Sequence, residues 1–303
     1  MICGVAAGLV ARVRRSATFR LLLAYGALVK IHLVGMLLVA CSLGLLLAGG
    51  GQVAGALAGW TLLGTGLFAG GACALNHVTD READARMERT RHRPLPSGRL
   101  APRPALAFGL ALAVTGFVIL LMLVNLLTAG LGLLAAALYV LVYAPLKKRT
   151  WLNTPLGALA GALPALMGWT AVANRLALGG WVLFALVFLW QHVHFHTIAW
   201  LHRDEYRAAG YRMLPVLDGD GRRTFRQLVC AAAALLPVSL LIAALGLAGP
   251  AYALGATLGG ALLLVAGLAL ARSRTPAAAR VTQRLALCYL PWLLGLAAWD
   301  VCK

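Results

Sequence analysis

The charged residues of the chain divide it into six long apolar runs. The runs cover residues 31–79, 104–146, 150–174, 176–202, 227–271 and 285–299, and none of them contains Asp, Glu, Lys or Arg. A helix that crosses a bilayer needs roughly 20 apolar residues, so three of the runs can hold two spans each. Turns are expected at residues 49–51, 125–130 and 249–250. The sequence therefore predicts nine transmembrane helices in a single membrane domain, residues 1–303.

The composition excludes a water-soluble domain. Hydrophobic residues make up 61% of the chain and charged residues 12%, with a mean hydropathy of +0.85, whereas a soluble domain has about 25% charged residues. The runs are continuously apolar rather than alternating, which favours an all-α polytopic bundle over a β-barrel. Lys and Arg number 27 against 9 Asp and Glu. In a membrane protein this excess of basic residues indicates loops that face an anionic leaflet, or an anionic substrate, rather than binding to nucleic acid.

The basic residues lie almost entirely on one side of the predicted bundle. They fall in segments 12–20, 76–103, 147–149, 203–226 and 272–284, whereas the opposite helix ends hold only Arg175 and Lys303. The positive-inside rule then predicts a cytoplasmic N-terminus and cytoplasmic loops at 76–103 and 203–226. Residues 16–30 can form a helix on the membrane surface before the first span. The Ala, Leu, Gly and Arg bias suggests a multi-pass protein of a bacterial inner (plasma) membrane.

Eight of the nine acidic residues lie in two clusters, each directly after a span. They are Asp80, Glu82, Asp84 and Glu88 in the first cluster, and Asp204, Glu205, Asp218 and Asp220 in the second. Asn76, Asp80 and Asp84 are spaced i, i+4, i+8, so a helix places them on one face. Oxygen ligands without a His or Cys partner at zinc spacing suit Mg²⁺. The alternative is a solvated charged loop with internal ion pairs.

Basic and aromatic residues near these acids suggest an anion site. Arg89 and Arg93 follow the first cluster, and Arg is a natural bidentate partner of phosphate oxygens, although some of these arginines also set the topology. Tyr143 and Lys147 are one helical turn apart and can face one pocket, or they can be an interfacial anchor and a snorkelling lysine. His194 lies within a histidine-rich stretch. It can serve metal, heme or proton chemistry, or it can be an ordinary interfacial histidine, and the sequence favours these two interpretations about equally.

Three segments together resemble one known family. Residues 76–98 match the pattern N-x3-D-x3-D-x2-M-x-R-T-x2-R-P, residues 143–161 read YAPLKKRTWLNTPLGALAG, and residues 190–219 contain HF followed by an acidic residue, Tyr and MLPV. These segments resemble the corresponding motifs of the protoheme IX farnesyltransferases, or heme O synthases. That family belongs to the intramembrane polyprenyl transferases, which have nine helices. The resemblance covers about residues 25–225.

The resemblance implies a reaction and a set of site residues. Farnesyl diphosphate and heme b would give heme O and diphosphate, with Mg²⁺ as cofactor. The implied catalytic residues are Lys147, Tyr143 and Arg89. The implied substrate-binding residues are Arg93, Lys30, His194, Tyr206, Arg207 and Arg149. The implied metal ligands are Asn76, Asp80, Asp84 and Asp204. The lipid bilayer is an expected partner, as is a heme A synthase or a terminal oxidase assembly, and no nucleic acid is expected.

Two other functions stay open at this point. The same prenyl chemistry can serve another acceptor, such as an aromatic acid, a quinone precursor or a chlorophyllide. A non-enzymatic heme or anion carrier would also account for the histidines and the basic residues. A transporter, however, usually has its ionisable site near the bilayer midplane, whereas these acids are expected at one interface.

Overall fold

The structure, a computed structural model, describes residues 17–301, and within this range it is helical with no β-strand. The helices are α1 Ala17–Leu28, α2 Ile31–Ala48, α3 Gly55–Asp84, α4 Pro102–Leu123, α5 Leu126–Leu146, α6 Asn153–Ala173, α7 Leu178–Leu201, α8 Arg203–Ala208, α9 Leu214–Leu217, α10 Arg222–Ala244, α11 Pro250–Ser273 and α12 Pro276–Val301. Nine of these described helices are long and apolar enough to cross a membrane, which confirms the predicted number of spans. Cys3, Cys302, Lys303 and most of the basic segment 12–20 lie outside the described residues.

Each predicted pair of spans is divided by a short turn. Gly50 and Gly51, between α2 and α3, have φ values of +53° and +78°, a region that glycine enters without steric cost. Pro250 begins α11 directly after Gly249, where its fixed φ and missing N–H are tolerated. The turn between α4 and α5 is shorter than residues 125–130, because the Asn125 side chain caps α5 by accepting a hydrogen bond from Thr128 N at 2.8 Å.

Helix α6 is the most buried of the nine described spans. A Cβ on Gly44 or Gly168 would overlap the facing backbone, so α2 and α6 are in direct backbone contact. Gly71 and Gly116 give α3 and α4 the same close approach, since a Cβ there would lie 2.6 Å from Gly109 O or 2.5 Å from Phe68 N. Small residues allow this packing between membrane helices. As a result α6 is largely buried, whereas α4 and α5 expose most of their surface at the periphery.

Several helices extend beyond the apolar runs that predicted them, among them α3 and α12. Helix α3 continues through the charged residues to Asp84, and α12 begins at Pro276, before Arg280 and Arg284. Residues 76–84 are therefore the last two turns of a helix, and the connection that follows it spans 85–101. We call residues 76–103, which contain the first acidic cluster, the first polar region, and residues 203–226, which contain the second cluster, the second polar region. In the second polar region, the short helices α8 and α9 interrupt the connection between α7 and α10. The end of α3 therefore fixes the positions of the polar residues 76–84 relative to one another.

Candidate active site

The C-terminal end of α3 presents four buried polar side chains. Asn76, His77, Asp80 and Asp84 are each at most 6% exposed. At about 100° per residue, a helix places these four positions within an arc of about 100°, so they form one surface, which we call the acidic face. A carboxylate buried to this extent is unfavourable without a compensating charge or hydrogen bonds, so the neighbours of the acidic face determine its chemistry.

Each carboxylate of the acidic face is paired with a cation. Lys147, at the end of α5 and 5% exposed, forms an ion pair with Asp80. Arg93, from the connection after α3, donates from a terminal guanidinium nitrogen to Asp84 Oδ2 at 2.8 Å. Thr90 Oγ1 donates to the backbone oxygen of Asp84 at 2.8 Å, which fixes this connection against the helix. The structure thus brings together four residues that the sequence predicted for one site.

A third cation, Lys30, also contacts the acidic face. Lys30 Nζ donates to Asn76 Oδ1 at 2.9 Å and to the Tyr139 hydroxyl at 3.4 Å, and that hydroxyl donates to Asn76 Oδ1 at 3.2 Å. Lys30 has a left-handed backbone, with φ 54°, which is strained for a side chain other than glycine. Burial, more than the neighbouring cations, lowers the pKa of Lys30 to about 8, so the amine is largely protonated at neutral pH.

Aromatic rings line the site beside the cations. Residues Leu138–Tyr143 of α5 form a π-helical turn, a feature that often occurs at functional sites, and the rings of Tyr139 and Tyr143 stack there with centroids 5.5 Å apart. Lys147 Nζ lies 4.9 Å from the Tyr143 centroid and 5.4 Å from that of Tyr211. Burial, followed by the charges of Asp80 and Asp84, raises the pKa of Tyr211, so its hydroxyl stays protonated.

The second polar region packs onto the first. Glu205 Oε2 accepts from Arg89 N at 3.2 Å, and its Oε1 lies 3.3 Å from His202 Nδ1. Met87 from one connection and Met213 from the other are buried in a shared hydrophobic cluster with Tyr211. The two polar regions therefore pack against each other beside the acidic face.

The structure does not bring every residue predicted for the site into contact with the acidic face and its cations. The Asp204 side chain is 77% exposed and pairs with Arg207 at 2.7 Å, so the acid whose contacts reach the first region is Glu205. The side chains of Arg89 and Arg149 are exposed as well, and Arg89 joins the contacts above through its backbone. Tyr206 is half-buried, with its ring 5.9 Å from that of Tyr211.

The predicted heme-binding residue His194 lies in α7, buried against Trp190. The two rings stack with centroids 5.4 Å apart, and His194 Nδ1 has no hydrogen-bond partner within the described structure. The neighbouring His196 is instead bonded on both sides, by the backbone oxygen of His192 at 2.7 Å and by Gln227 Oε1 at 3.1 Å. Of the histidines in α7, His194 is thus the one with a buried nitrogen available to a ligand.

Four site residues were not selected from the sequence. They are His77, Tyr139, Glu205 and Tyr211. The spacing of Tyr139, Tyr143 and Lys147, four residues apart each time, carried a usable signal for Tyr139. His77 follows Asn76 directly and belongs to the same helical arc. No local pattern distinguishes Glu205 from Asp204, because their orientations depend on how the two polar regions pack.

The donor set is compatible with a divalent cation that also binds a substrate. Among residues 17–301, no three His, Cys, Asp or Glu side chains converge closely enough to hold a metal ion by themselves. Mg²⁺ is commonly held by one or two carboxylates together with waters and substrate phosphates, and Asp80 and Asp84 supply two buried carboxylates on one surface. The residues therefore fit a magnesium ion shared with a phosphate ligand.

Solved structures share this architecture. A structure described as that of digeranylgeranylglyceryl phosphate synthase superimposes with a TM-score of 0.76 at 16% identity, covering 92% of this chain and 98% of the other. A UbiA homolog from Archaeoglobus fulgidus, bound to DMAPP and Mg²⁺, gives a TM-score of 0.65 at 15% identity, covering 90% and 99%. At these identities the likeness establishes the fold.

Sequence comparison identifies the family. Residues 37–289 match the UbiA prenyltransferase family, and the chain belongs to that family. A relative from Solibacter usitatus, named protoheme IX farnesyltransferase, is 48% identical over 240 residues, covering 79% of this chain and 82% of the relative. A relative of the same name from Synechococcus elongatus is 42% identical over 282 residues, covering 92% and 88%. The resemblance in the three motifs is thereby confirmed over most of the chain.

Proposed function

We propose that the protein transfers the farnesyl group of farnesyl diphosphate to a vinyl group of heme b, giving heme O and diphosphate. The observation that carries this proposal is the 40–48% identity, over about four-fifths of the chain, to relatives named protoheme IX farnesyltransferase. The buried acidic face and its cations suit the reaction that this name describes, because a prenyl diphosphate reacts by losing a highly charged leaving group.

The charge of the site suits an anionic substrate. Lys30, Arg93 and Lys147 supply three positive charges beside the two carboxylates Asp80 and Asp84. This surplus lies in a buried region, where electrostatic interactions are stronger than in water. We expect the diphosphate to bind there, with Lys147 and Arg93 directed at the oxygens on which charge develops as the carbon–oxygen bond breaks. The exposed Arg89 side chain can contribute at the rim.

Asp80 and Asp84 would hold Mg²⁺, whereas Asp204, the ligand predicted from the second acidic cluster, is exposed and paired with Arg207 in the described structure. Bound there, the ion supplies Lewis-acid stabilisation to the departing diphosphate. When the carbon–oxygen bond breaks, its electron pair leaves with the diphosphate and an allylic cation remains. The ring of Tyr143, which stacks with that of Tyr139, has the Lys147 ammonium over its face, and an aromatic ring in this position can stabilise positive charge.

The acceptor then attacks this cation. The vinyl π electrons of heme b form the new carbon–carbon bond, and addition of water to the resulting porphyrin-stabilised cation, with loss of one proton, gives the hydroxyethylfarnesyl group. The apolar helices keep bulk water from the allylic cation before this attack. For the heme we propose His194 as the orienting residue, Arg207 and Arg149 as partners of the propionates, and Tyr206 as a further contact.

We further propose a location and a cellular context. The basic segments surround the same helix ends as the acidic face, so the positive-inside rule puts the active site at the cytoplasmic surface of the inner membrane. A heme A synthase or a terminal oxidase assembly would be the partner that receives the product.

Mass spectrometry of extracted heme tests the proposed reaction. Membranes from cells expressing the protein are expected to contain heme with an added hydroxyethylfarnesyl group, and membranes with Asp80→Asn, at equal protein level, are expected to lack it. With purified protein, heme b is compared with 4-hydroxybenzoate as acceptor. Prenylation of 4-hydroxybenzoate alone would move the assignment to another acceptor, and absence of pyrophosphate release with either would favour a carrier.

A further inference from the structure

We propose that Asn76 and His77 bind the diphosphate as hydrogen-bond donors, and that the Asn76 amide does so in place of ligating the metal through its oxygen. The proposal rests on the proposed function only for the identity of the anion. It assigns a binding role to His77 and replaces the metal-ligand role that the spacing of residue 76 predicted.

The hydrogen bonds of Asn76 fix the orientation of its amide. Asn76 Oδ1 receives both the Lys30 ammonium at 2.9 Å and the Tyr139 hydroxyl at 3.2 Å. An ammonium group has three donors and no acceptor, so the oxygen of the amide must face Lys30. Rotating the amide by 180° would put its NH₂ group against the ammonium, donor against donor, and would leave Lys30 only the more distant Tyr139 hydroxyl as an acceptor. The network therefore determines an assignment that geometry alone leaves ambiguous.

The other end of the same amide is unpaired. Asn76 Nδ2 is buried and has no hydrogen-bond partner within the described structure, and the residue is 1% exposed. Buried amide donors are almost always hydrogen-bonded, because desolvation without a partner is unfavourable. The two N–H groups of Asn76 belong to the acidic face, whose carboxylates pair with the cations expected to receive the diphosphate, and an oxyanion is the ligand that such donors bind most strongly.

His77 repeats this situation one residue further along the helix. It is 2% exposed, and neither ring nitrogen has a hydrogen-bond partner among residues 17–301. Asp84 Oδ2 lies 3.8 Å from His77 Nδ1, which is too long for a hydrogen bond. A neutral imidazole always carries one N–H, so His77 adds a second unpaired buried donor within the arc that contains Asn76.

A metal-ligand role for Asn76 would require this network to be rearranged. The two lone pairs of Oδ1 already accept from Lys30 and Tyr139, so at least one of these two hydrogen bonds would have to be given up to a metal. Donation from Nδ2 to an anion requires no such change, because the Oδ1 contacts are retained. The Lys30 ammonium and the Tyr139 hydroxyl thereby act as positioning groups that direct the amide toward the diphosphate.

Pyrophosphate binding to purified full-length protein, measured by calorimetry at saturating Mg²⁺, tests this assignment. Asn76→Asp preserves the side-chain shape and an oxygen for Lys30 but removes both N–H donors. We expect pyrophosphate affinity to fall about ten- to a hundredfold, as expected for a lost hydrogen bond to a charged group, while the Mg²⁺ concentration needed for half-maximal binding does not rise. Asn125→Asp, at the opposite end of the bundle, is the matched amide-to-acid control and should bind as wild type.

His77 provides the same test without a change of charge. His77→Leu is expected to lower pyrophosphate affinity about tenfold or more, and His77→Gln, which retains an N–H donor, is expected to recover most of that loss. Wild-type pyrophosphate affinity in both Asn76→Asp and His77→Leu, or tighter Mg²⁺ binding in Asn76→Asp with undiminished pyrophosphate affinity, would overturn the proposal. Because the readout is anion binding, it is independent of whether heme b is the acceptor.

Discussion

Lys147 and Asp80 form a buried ion pair between residues 67 positions apart in the chain, and this pair joins the end of α5 to the acidic face of α3. Both residues are at most 6% exposed. Before substrate binds, the lysine compensates the carboxylate, and the same lysine lies between the rings of Tyr143 and Tyr211. One contact therefore connects the stability of the helix ends with the proposed reaction.

Lys147→Met is expected to destabilise the protein by about 3–5 kcal/mol, because removing one member of a buried pair leaves an uncompensated charge. The measurement is the thermal unfolding midpoint of the detergent-solubilised protein. The double variant Lys147→Met with Asp80→Asn should recover most of the loss. Lys148→Met, at the exposed neighbouring position, is the matched control. Equal midpoints for Lys147→Met and Lys148→Met would show that the buried pair contributes nothing.

Substitutions of Glu205 and Asp204 test which acid of the second polar region is functional, the one chosen by the contacts in the structure or the one chosen by the sequence pattern. Glu205→Ala removes the acceptor of Arg89 N and is expected to lower the rate of prenyl transfer about tenfold by displacing the connection that carries Arg93. Asp204→Ala removes a carboxylate that pairs at the surface with Arg207 and is expected to have the smaller effect. If Asp204→Ala is the more damaging substitution and raises the Mg²⁺ requirement, the metal role predicted from sequence is supported instead.

Gly157 gives Tyr143 the space that its ring occupies. A Cβ at residue 157 would lie 2.9 Å from Tyr143 Cε2 and 3.0 Å from Cδ2, so Gly157→Ala must shift the ring from its position under Lys147. We expect the rate of prenyl transfer to fall about ten- to a hundredfold with little change in expression. Gly130→Ala, where an added Cβ meets no atom within 4 Å, is the control and should retain the wild-type rate.

Asp300, the one acidic residue outside the two clusters, has a structural role. One of its carboxylate oxygens accepts from Tyr252 N at 2.7 Å, in the first turn of α11, so α12 supplies a cap to a neighbouring helix. Asp300→Ala is expected to lower the unfolding free energy by about 0.5–2 kcal/mol, the usual cost of losing a helix cap. The rate of prenyl transfer per folded molecule should not change. A specific loss of activity at wild-type stability would contradict this assignment.

The sequence predicts what depends on local spacing. The apolar runs specify nine spans, and the spacing of Asn76, Asp80 and Asp84 specifies a common face, because both follow from helix geometry. The pairing of Asp80 with Lys147 depends instead on how α3 and α5 pack. The amide orientation of Asn76 depends on Lys30, whose strained backbone no residue pattern indicates. The start of α12 at Pro276 differs from the apolar run because arginines are tolerated where a helix leaves the membrane.

The most direct test of the central claim, that Asp80 and Asp84 support metal-dependent ionisation of the prenyl diphosphate, is the rate of pyrophosphate release from farnesyl diphosphate and heme b by purified protein. Wild-type protein is expected to release pyrophosphate with Mg²⁺, to stop when the metal is chelated with EDTA, and to recover when Mg²⁺ is added back. Asp80→Asn and Asp84→Asn, each confirmed as folded, are expected to lose at least a hundredfold in rate, as for other groups that stabilise a developing charge. Release at the wild-type rate by both variants, or by wild-type protein in EDTA, would contradict the account.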